Sequence, residues 1–267
     1  MIEIIMLSYN NGKTIRRAIQ SVLSQNTDIP FMLSIYDNNS TDKTRQILIS
    51  IKDDRINLCI NDGNIGYTSN FINSINRATG DYIAFLDADD YWTDDYKLQK
   101  QVNYLRANGC EVLHTSGEIK NQEASLYTHT MVRAKDLSVK DIMKTNPIIW
   151  QTAMIKSTHI FDVSTALDDF AYRFNYDPIP CDIIVLLQLC QYGIKSLPDN
   201  TATHTIHNGT VSHSIKPRNI LKYMRATAYI RFYYARKYKI GLLNRVVLMF
   251  RIIKKCLNRL GITKVWK

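Results

Sequence analysis

The first hundred residues alternate short apolar runs with amphipathic stretches of helix length, and few architectures accept that rhythm. A strand that is apolar on both sides must be buried on both sides. The helices between such strands must then cross over a sheet, so the pattern predicts strand-helix-strand units around a parallel sheet flanked by helices. Residues 2–7 read as the first strand, and residues 13–25 as a helix with Ile15, Ala18, Ile19 and Val22 on one face. Residues 31–36 form a second strand. It runs into Asp37-Asn38-Asn39-Ser40-Thr41-Asp42, whose small polar side chains can turn the chain and cap a helix over residues 43–51. A third strand over 55–61, a helix over 67–78 and an apolar strand over 81–86 complete this half. The last of these delivers Asp87.

Three regions follow from the change in pattern. Residues 1–105 carry the periodic strands and helices, and residues 106–215 read as a smaller, irregular continuation with a helix at 181–192 and a loop around 205–214. Residues 216–267 form a basic tail of two helical segments broken near Gly241. That tail holds 15 of the 34 Lys and Arg residues and no Asp or Glu, so the remainder of the chain is net acidic although the whole carries +10. Five scattered cysteines, odd in number and without metal-ligand spacing, favour a reducing compartment. The opening residues lack a basic leader or a cleavage-like site, and no run approaches the roughly 18 apolar residues of a membrane span.

In open α/β sheets ligands bind beyond the carboxyl ends of the strands, where Tyr9, Asn10, Asp37, Asn64 and Asp87 all fall. Asp87-Ala88-Asp89-Asp90 closes a buried apolar strand with three carboxylates, a costly arrangement unless a cation is expected. On an extended segment Asp87 and Asp89 would point to the same side, where both could reach one Mn²⁺ or Mg²⁺. The alternative is that Asp89, Asp90 and Thr93 cap the helix that follows.

The ordered series Ser8-Tyr9-Asn10, Asp37 with Ser40-Thr41-Asp42, Asn64-Ile65-Gly66, Asn70, and Gly80-Asp81-Tyr82 running into Asp87-Ala88-Asp89-Asp90 resembles the family 2 glycosyltransferases of the GT-A fold. The resemblance covers residues 1–100 well and residues 145–214 loosely. It implies an α/β, Rossmann-like mixed sheet with a nucleotide-sugar-binding half and an acceptor-binding half, and an inverting, metal-dependent transfer from a nucleotide-diphosphate sugar, commonly UDP-linked. By similarity Ser8, Tyr9, Asn10, Asp37, Asn64, Asn70, Asp87 and Ala88 would bind the donor. Asp87 and Asp89 would hold Mn²⁺ or Mg²⁺, joined by His207 from a closing loop; imidazole is a sensible Mn²⁺ ligand.

Inverting members use a carboxylate on the acceptor side as general base, and Asp182, opening an apolar helix, matches that position. Asp177 is the competing choice, and either Asp37 or Asp182 could instead serve a turn or helix cap. Trp150 and Gln151 fall where such enzymes carry acceptor-loop residues, with the indole suited to stacking on a sugar face or to the core. The implied acceptor is a glycan or a polyprenyl-linked saccharide of cell-surface polysaccharide synthesis.

In the tail, Tyr223, Tyr229, Phe232, Tyr233, Tyr234, Tyr238 and Phe250 interleave with Lys and Arg, a composition suited to an anionic membrane boundary or to packing on the catalytic domain. The expectation is a cytoplasmic protein peripheral on the inner face of the cell membrane. Nucleic acid is not expected, because the acidic remainder offers no second basic surface. Two other readings share parts of this pattern. A sugar-phosphate nucleotidyltransferase would normally open with a glycine-rich loop, and Tyr9-Asn10-Asn11-Gly12 is a poor one. A non-catalytic basic adaptor would show no metal-linked nucleotide binding.

Overall fold

The computed structural model describes residues 1–121, 128–207 and 217–241. Strands β1 (Ile2–Ser8), β2 (Phe31–Asp37), β3 (Ile56–Ile60) and β4 (Tyr82–Phe85) are parallel, with α1 (Ile15–Leu23), α2 (Thr44–Ser50) and α3 (Tyr67–Asn76) as their crossovers. The four apolar residues buried along α1 are Ile15, Ala18, Ile19 and Val22, the face that the helical spacing predicts.

Beyond β4 lie β5 (Tyr91–Trp92), α4 (Lys97–Asn108), β6 (Val112–Asn121) and β7 (Thr128–Val132). They are followed by α5 (Val139–Lys144), β8 (Met154–Lys156), α6 (Ile160–Phe174), α7 (Cys181–Leu189), β9 (Ile194–Ile206) and α8 (Pro217–Lys237). The strands make one mixed sheet in the order β3-β2-β1-β4-β8-β6-β9-β5, with β7 paired to β6. Antiparallel β8 joins the parallel half to the second half through β4 on one side and β6 on the other.

Two apolar layers cover the sheet. On one side Ile4 and Met6 of β1 pack with α1 and with Leu98, Val102 and Leu105 of α4. On the other, Ile5 and Phe85 pack with α3, α5, α6 and α7, and with Ile230 and Tyr234 of α8. Alternate residues of β1 therefore face different cores, which is why its sequence is apolar on both faces. The exception is Glu3, 3% exposed, whose carboxylate accepts from the Ser34 hydroxyl and from the backbone N–H groups of Thr79 and Gly80. Any side chain at Gly80 would meet the Glu3 backbone at 2.7 Å, so that turn requires glycine.

Helix α8 is built into the core. Met224, Ala226, Ile230, Arg231, Tyr234 and Ala235 are buried. The Tyr234 and Tyr238 hydroxyls donate to Gln188 Oε1 and the Leu187 carbonyl of α7 at 2.9 and 2.6 Å. The first basic segment of the tail thus packs on α6 and α7, while the second, with Phe250, lies outside the described residues. The stretch read as a loop from residue 205 is corrected at its start: Thr205 and Ile206 end β9, and 208–214 are not described. A run of β-branched residues from Thr201 pairs with β6, which overrides the polar composition. The four described cysteines are unpaired thiols. Among the described residues no helix is long and apolar enough to cross a membrane.

Candidate active site

The carboxyl ends of β1 and β4 open onto a cleft of about 690 Å³. Ser8, Tyr9, Asn64, Asn70, Asp87, Ala88 and Asp89 line it, together with Trp150 and Gln151 of the turn before β8 and Asp182 of α7. Parallel register brings this about, because β1 ends at Ser8 opposite Asp37 of β2, while the Ala88 N–H donates to the Leu7 carbonyl. Tyr9 is 47% exposed and free to cover a ligand. Ser8 Oγ is buried without a hydrogen-bond partner among the described residues, an orphan that a bound group could satisfy.

Two residues of the series are placed differently. Asp37 is fully buried, and its carboxylate accepts the N–H and hydroxyl of Ser40 in the turn after β2. Asn10, at φ 56°, accepts the Thr41 N–H through its amide oxygen and so ties the end of β1 to that same turn. Neither lines the cleft. Asn64 accepts from the Gly66 N–H and from Asn38, and Asn70 bonds the Tyr36 carbonyl and Asn61. These amides line the cleft and brace its loops together.

The three carboxylates take three different partners. The Asp87–Asp90 segment is a turn closed by the Asp90 N–H on the Asp87 carbonyl, and Asp87 and Asp89 both reach the cleft from it. Asp87 Oδ2 accepts from the Gln151 side chain at 2.9 Å, and Asp89 Oδ2 lies 2.9 Å from His207 Nε2. Asp90 turns inward with no exposure, accepting from His204 Nδ1 at 2.9 Å and from the Thr205 N–H at 2.6 Å. Burial opposes charging of His204. The Asp90 hydrogen bond and the surrounding carboxylates outweigh it and raise its pKa to about 9, while burial raises the Asp90 carboxyl against the pull of the same imidazole. Burial, then the charges of Asp89 and Asp90, raise the Asp87 carboxyl above its usual range.

Helix capping does not explain the motif. The next helix, α4, begins at Lys97 beyond β5, and its approach is organised by Asp94, which accepts the Tyr96 N–H. The Asp90–His204 pair and the Gln151 contact are not legible from spacing. The only signal was the alternation from Thr201 to Ile206, which marks a strand and so places His204 and His207 beside the carboxylate turn.

Asp182 sits in the first turn of α7. One carboxylate oxygen accepts the Ile183 N–H at 2.8 Å, and the other accepts from the Asn146 side chain. Burial raises its pKa, against the pull of these two donors and of the Arg231 charge. Asp177 is committed elsewhere: its two oxygens accept the N–H groups of Tyr67 and Thr68 at 2.9 and 2.7 Å, capping α3. A side chain at Gly66 would meet Asp177 Oδ2 at 2.6 Å, and its φ of +85° also demands glycine. Trp150 packs its ring 4.3 Å from Phe85 and is 9% exposed, so most of the indole is core while one part faces the cleft.

Among the described residues no three His, Cys, Asp or Glu side chains are gathered closely enough to cage a metal ion. The donor set nevertheless suits a divalent cation that brings other ligands with it. Burial and then the Asp89 charge raise the Asp87 carboxyl, and a cation would relieve that repulsion.

Similarity to known proteins agrees with this architecture. The chain is 29% identical over 223 residues to an uncharacterized protein of Mycobacterium tuberculosis, a match of 79% of this chain that spans 60% of that relative's length. It is 29% identical over 250 residues to the Escherichia coli UDP-Glc:alpha-D-GlcNAc-diphosphoundecaprenol beta-1,3-glucosyltransferase WfaP, covering 88% of this chain and 92% of that protein. The crystal structure of S. aureus TarS 1-349 in complex with UDP-GlcNAc superposes with a TM-score of 0.64 at 20% identity, over 86% of this chain and 66% of that one, which shows a shared GT-A fold. The family model described as "Glycosyl transferase family 2" matches residues 3–172. The chain belongs to glycosyl transferase family 2.

Proposed function

We propose that this protein transfers a sugar from a UDP-sugar to a hydroxyl of a glycan or polyprenyl-linked saccharide, inverting the anomeric carbon, in cell-surface polysaccharide synthesis. One observation carries the proposal: a single cleft is lined both by the Asp87–Asp89 turn and by Asp182. The first suits a leaving diphosphate and the second an attacking hydroxyl. The similarity to an E. coli protein named for UDP-Glc and a diphosphoundecaprenol-linked saccharide supports the choice of donor and acceptor.

Tyr9 and the orphaned Ser8 hydroxyl would take the nucleotide, and Asn38, Asn64 and Asn70 keep that wall in shape. Asp87, Asp89 and His207 would hold Mn²⁺ or Mg²⁺ with the donor's diphosphate; the ion supplies Lewis-acid stabilisation of the leaving group when bound. Gln151 keeps the Asp87 carboxylate turned into the cleft. Asp182 would accept the proton of the acceptor hydroxyl as that oxygen attacks the anomeric carbon and the nucleoside diphosphate departs on the opposite side. A carboxyl raised by burial is a stronger base than one in water, which suits this role. Trp150 and Tyr223 would border the acceptor.

We also propose peripheral attachment to the inner membrane face through residues 216–267, for which the basic and aromatic composition is the support. The first half of that tail is built into the core, so the informative truncation removes 242–267. Loss of binding to anionic vesicles with turnover on a soluble acceptor retained is expected; unchanged vesicle binding would count against the attachment. For the chemistry, a panel of UDP-sugars is incubated with Mn²⁺ and a lipid-linked N-acetylhexosamine acceptor. Release of UDP with formation of a β-linked product from an α-linked donor is expected, and metal-independent release would sink the donor-site assignment.

A further inference from the structure

The C-terminal helix reaches the active site from beyond the matched family region, which ends at residue 172. Helix α8 contributes Tyr223 to the cleft wall, and about two turns further on it buries Arg231 to 4% exposure. A guanidinium at that depth is costly unless its charge is matched. Its Nη1 group donates to the Met143 carbonyl, and Nε has no hydrogen-bond partner among the described residues. A carbonyl supplies a dipole but no counter-charge. Three residues after Met143, the Asn146 side chain holds the Asp182 carboxylate, so one short segment fastens both the cation and the anion.

We propose that Arg231 is a positioning residue for Asp182, set by α8 against the same short segment, residues 143–146, that fastens the carboxylate, and supplying the positive charge that this buried acid faces. The basic C-terminal helix is then part of the active site rather than an appendage. The inference rests on Asp182 being the general base. Arg231 pulls the Asp182 carboxyl down against the burial that raises it. The other titratable groups facing Asp182 are Tyr67 of α3 and Cys181 of α7, with Tyr223 of α8 near Arg231. Burial, first of several causes, raises Tyr67 and Cys181 well above their ordinary values, so both stay neutral and neither can balance the carboxylate.

The test compares pH profiles of kcat/KM for the full chain and for Asp182→Asn, Arg231→Met and Arg231→Lys, with UDP binding as a check on the donor site. Arg231→Met should bind UDP normally while its acid limb moves up by about one pH unit, an approximately tenfold loss below the limb, and Arg231→Lys should restore the limb. An Arg231→Met limb at the wild-type position overturns the proposal while leaving the general base intact. Full turnover by Asp182→Asn instead removes the general-base reading, and this proposal with it. Should Arg231→Met fail to fold, the thermal stability of Asp182→Asn decides. A lower Tm than wild type is expected, because the guanidinium loses its counter-charge, and a higher Tm overturns the pairing.

Discussion

His207 Nε2 lies 2.9 Å from Asp89 Oδ2, so the residue just beyond β9 closes onto a carboxylate 118 positions earlier in the chain. This contact joins the last strand of the second half to the turn after the last parallel strand, and places an imidazole where the donor's diphosphate is proposed to bind.

Asp89→Asn should therefore lower kcat/KM by about 100-fold or more and abolish the Mn²⁺-dependent part of UDP affinity, while His207→Ala should cost about tenfold. Calorimetric titration of UDP with and without Mn²⁺ separates the two effects. Equal UDP affinity in wild type and Asp89→Asn at saturating Mn²⁺ would remove Asp89 from the metal site.

The two candidate bases are distinguished by what they already hold. Asp177→Ala strips the cap from α3 and should lower stability by about 1–2 kcal/mol, leaving turnover within a few-fold of wild type. Asp182→Asn should leave UDP binding intact and reduce kcat by roughly 1000-fold. The opposite pattern in the same pair of assays would reassign the base to Asp177.

Breaking the buried Asp90–His204 pair should be severe. His204→Ala leaves the unexposed Asp90 carboxyl without its imidazole partner, with an expected loss of about 3–5 kcal/mol in denaturant unfolding. The folded pKa of His204 is raised to about 9 from an ordinary value of 6.5. Its contribution is therefore fully present below pH 6.5 and disappears as pH rises through about 9. The stability difference between wild type and variant should shrink accordingly; a difference constant from pH 6 to 10 would show that the pair is not ionic.

Lys97 shows the reverse sign. It is fully buried against Gln101, with its ammonium 4.4 Å from the Trp92 ring centre, and burial lowers its pKa from 10.5 to about 7. The unfolded chain binds the extra proton between those values, so stability rises with pH from about 7 towards 10.5. Lys97→Met should stabilise the protein by roughly 2–4 kcal/mol at pH 7 and by almost nothing near pH 10. Thermal melts across that range give the result, and a destabilised variant at pH 7 would mean that the Gln101 bond and the Trp92 contact outweigh the desolvation.

The parallel half of the fold is readable because its information is local. The apolar run of β1, broken by Glu3 alone, the four-residue face of α1 and the polar turn after β2 each specify their element without reference to the rest of the chain, and the structure adjusts only their ends by one or two residues. The Asp87-Ala88-Asp89-Asp90 motif is legible for the same reason: a buried strand that stops in carboxylates announces an edge where charge is wanted.

What each carboxylate does was settled by residues far away in sequence. Asp87 answers to Gln151, Asp89 to His207, Asp90 to His204, and Asp182 to Asn146 and Arg231. No periodicity links such pairs, since only the closing of the mixed sheet around β8 and the docking of α8 bring them within hydrogen-bond or Coulomb range. Asp37 and Asp177 make the same point from the other side. Both are acidic residues at strand or loop ends that look available in the sequence, and both are occupied in the fold by a nearby turn or helix terminus. Local pattern thus determined the sheet, the strand ends and the residue types at the cleft. Tertiary packing decided their charge states and partners, because desolvation and hydrogen bonding depend on the whole surrounding volume rather than on neighbours along the chain.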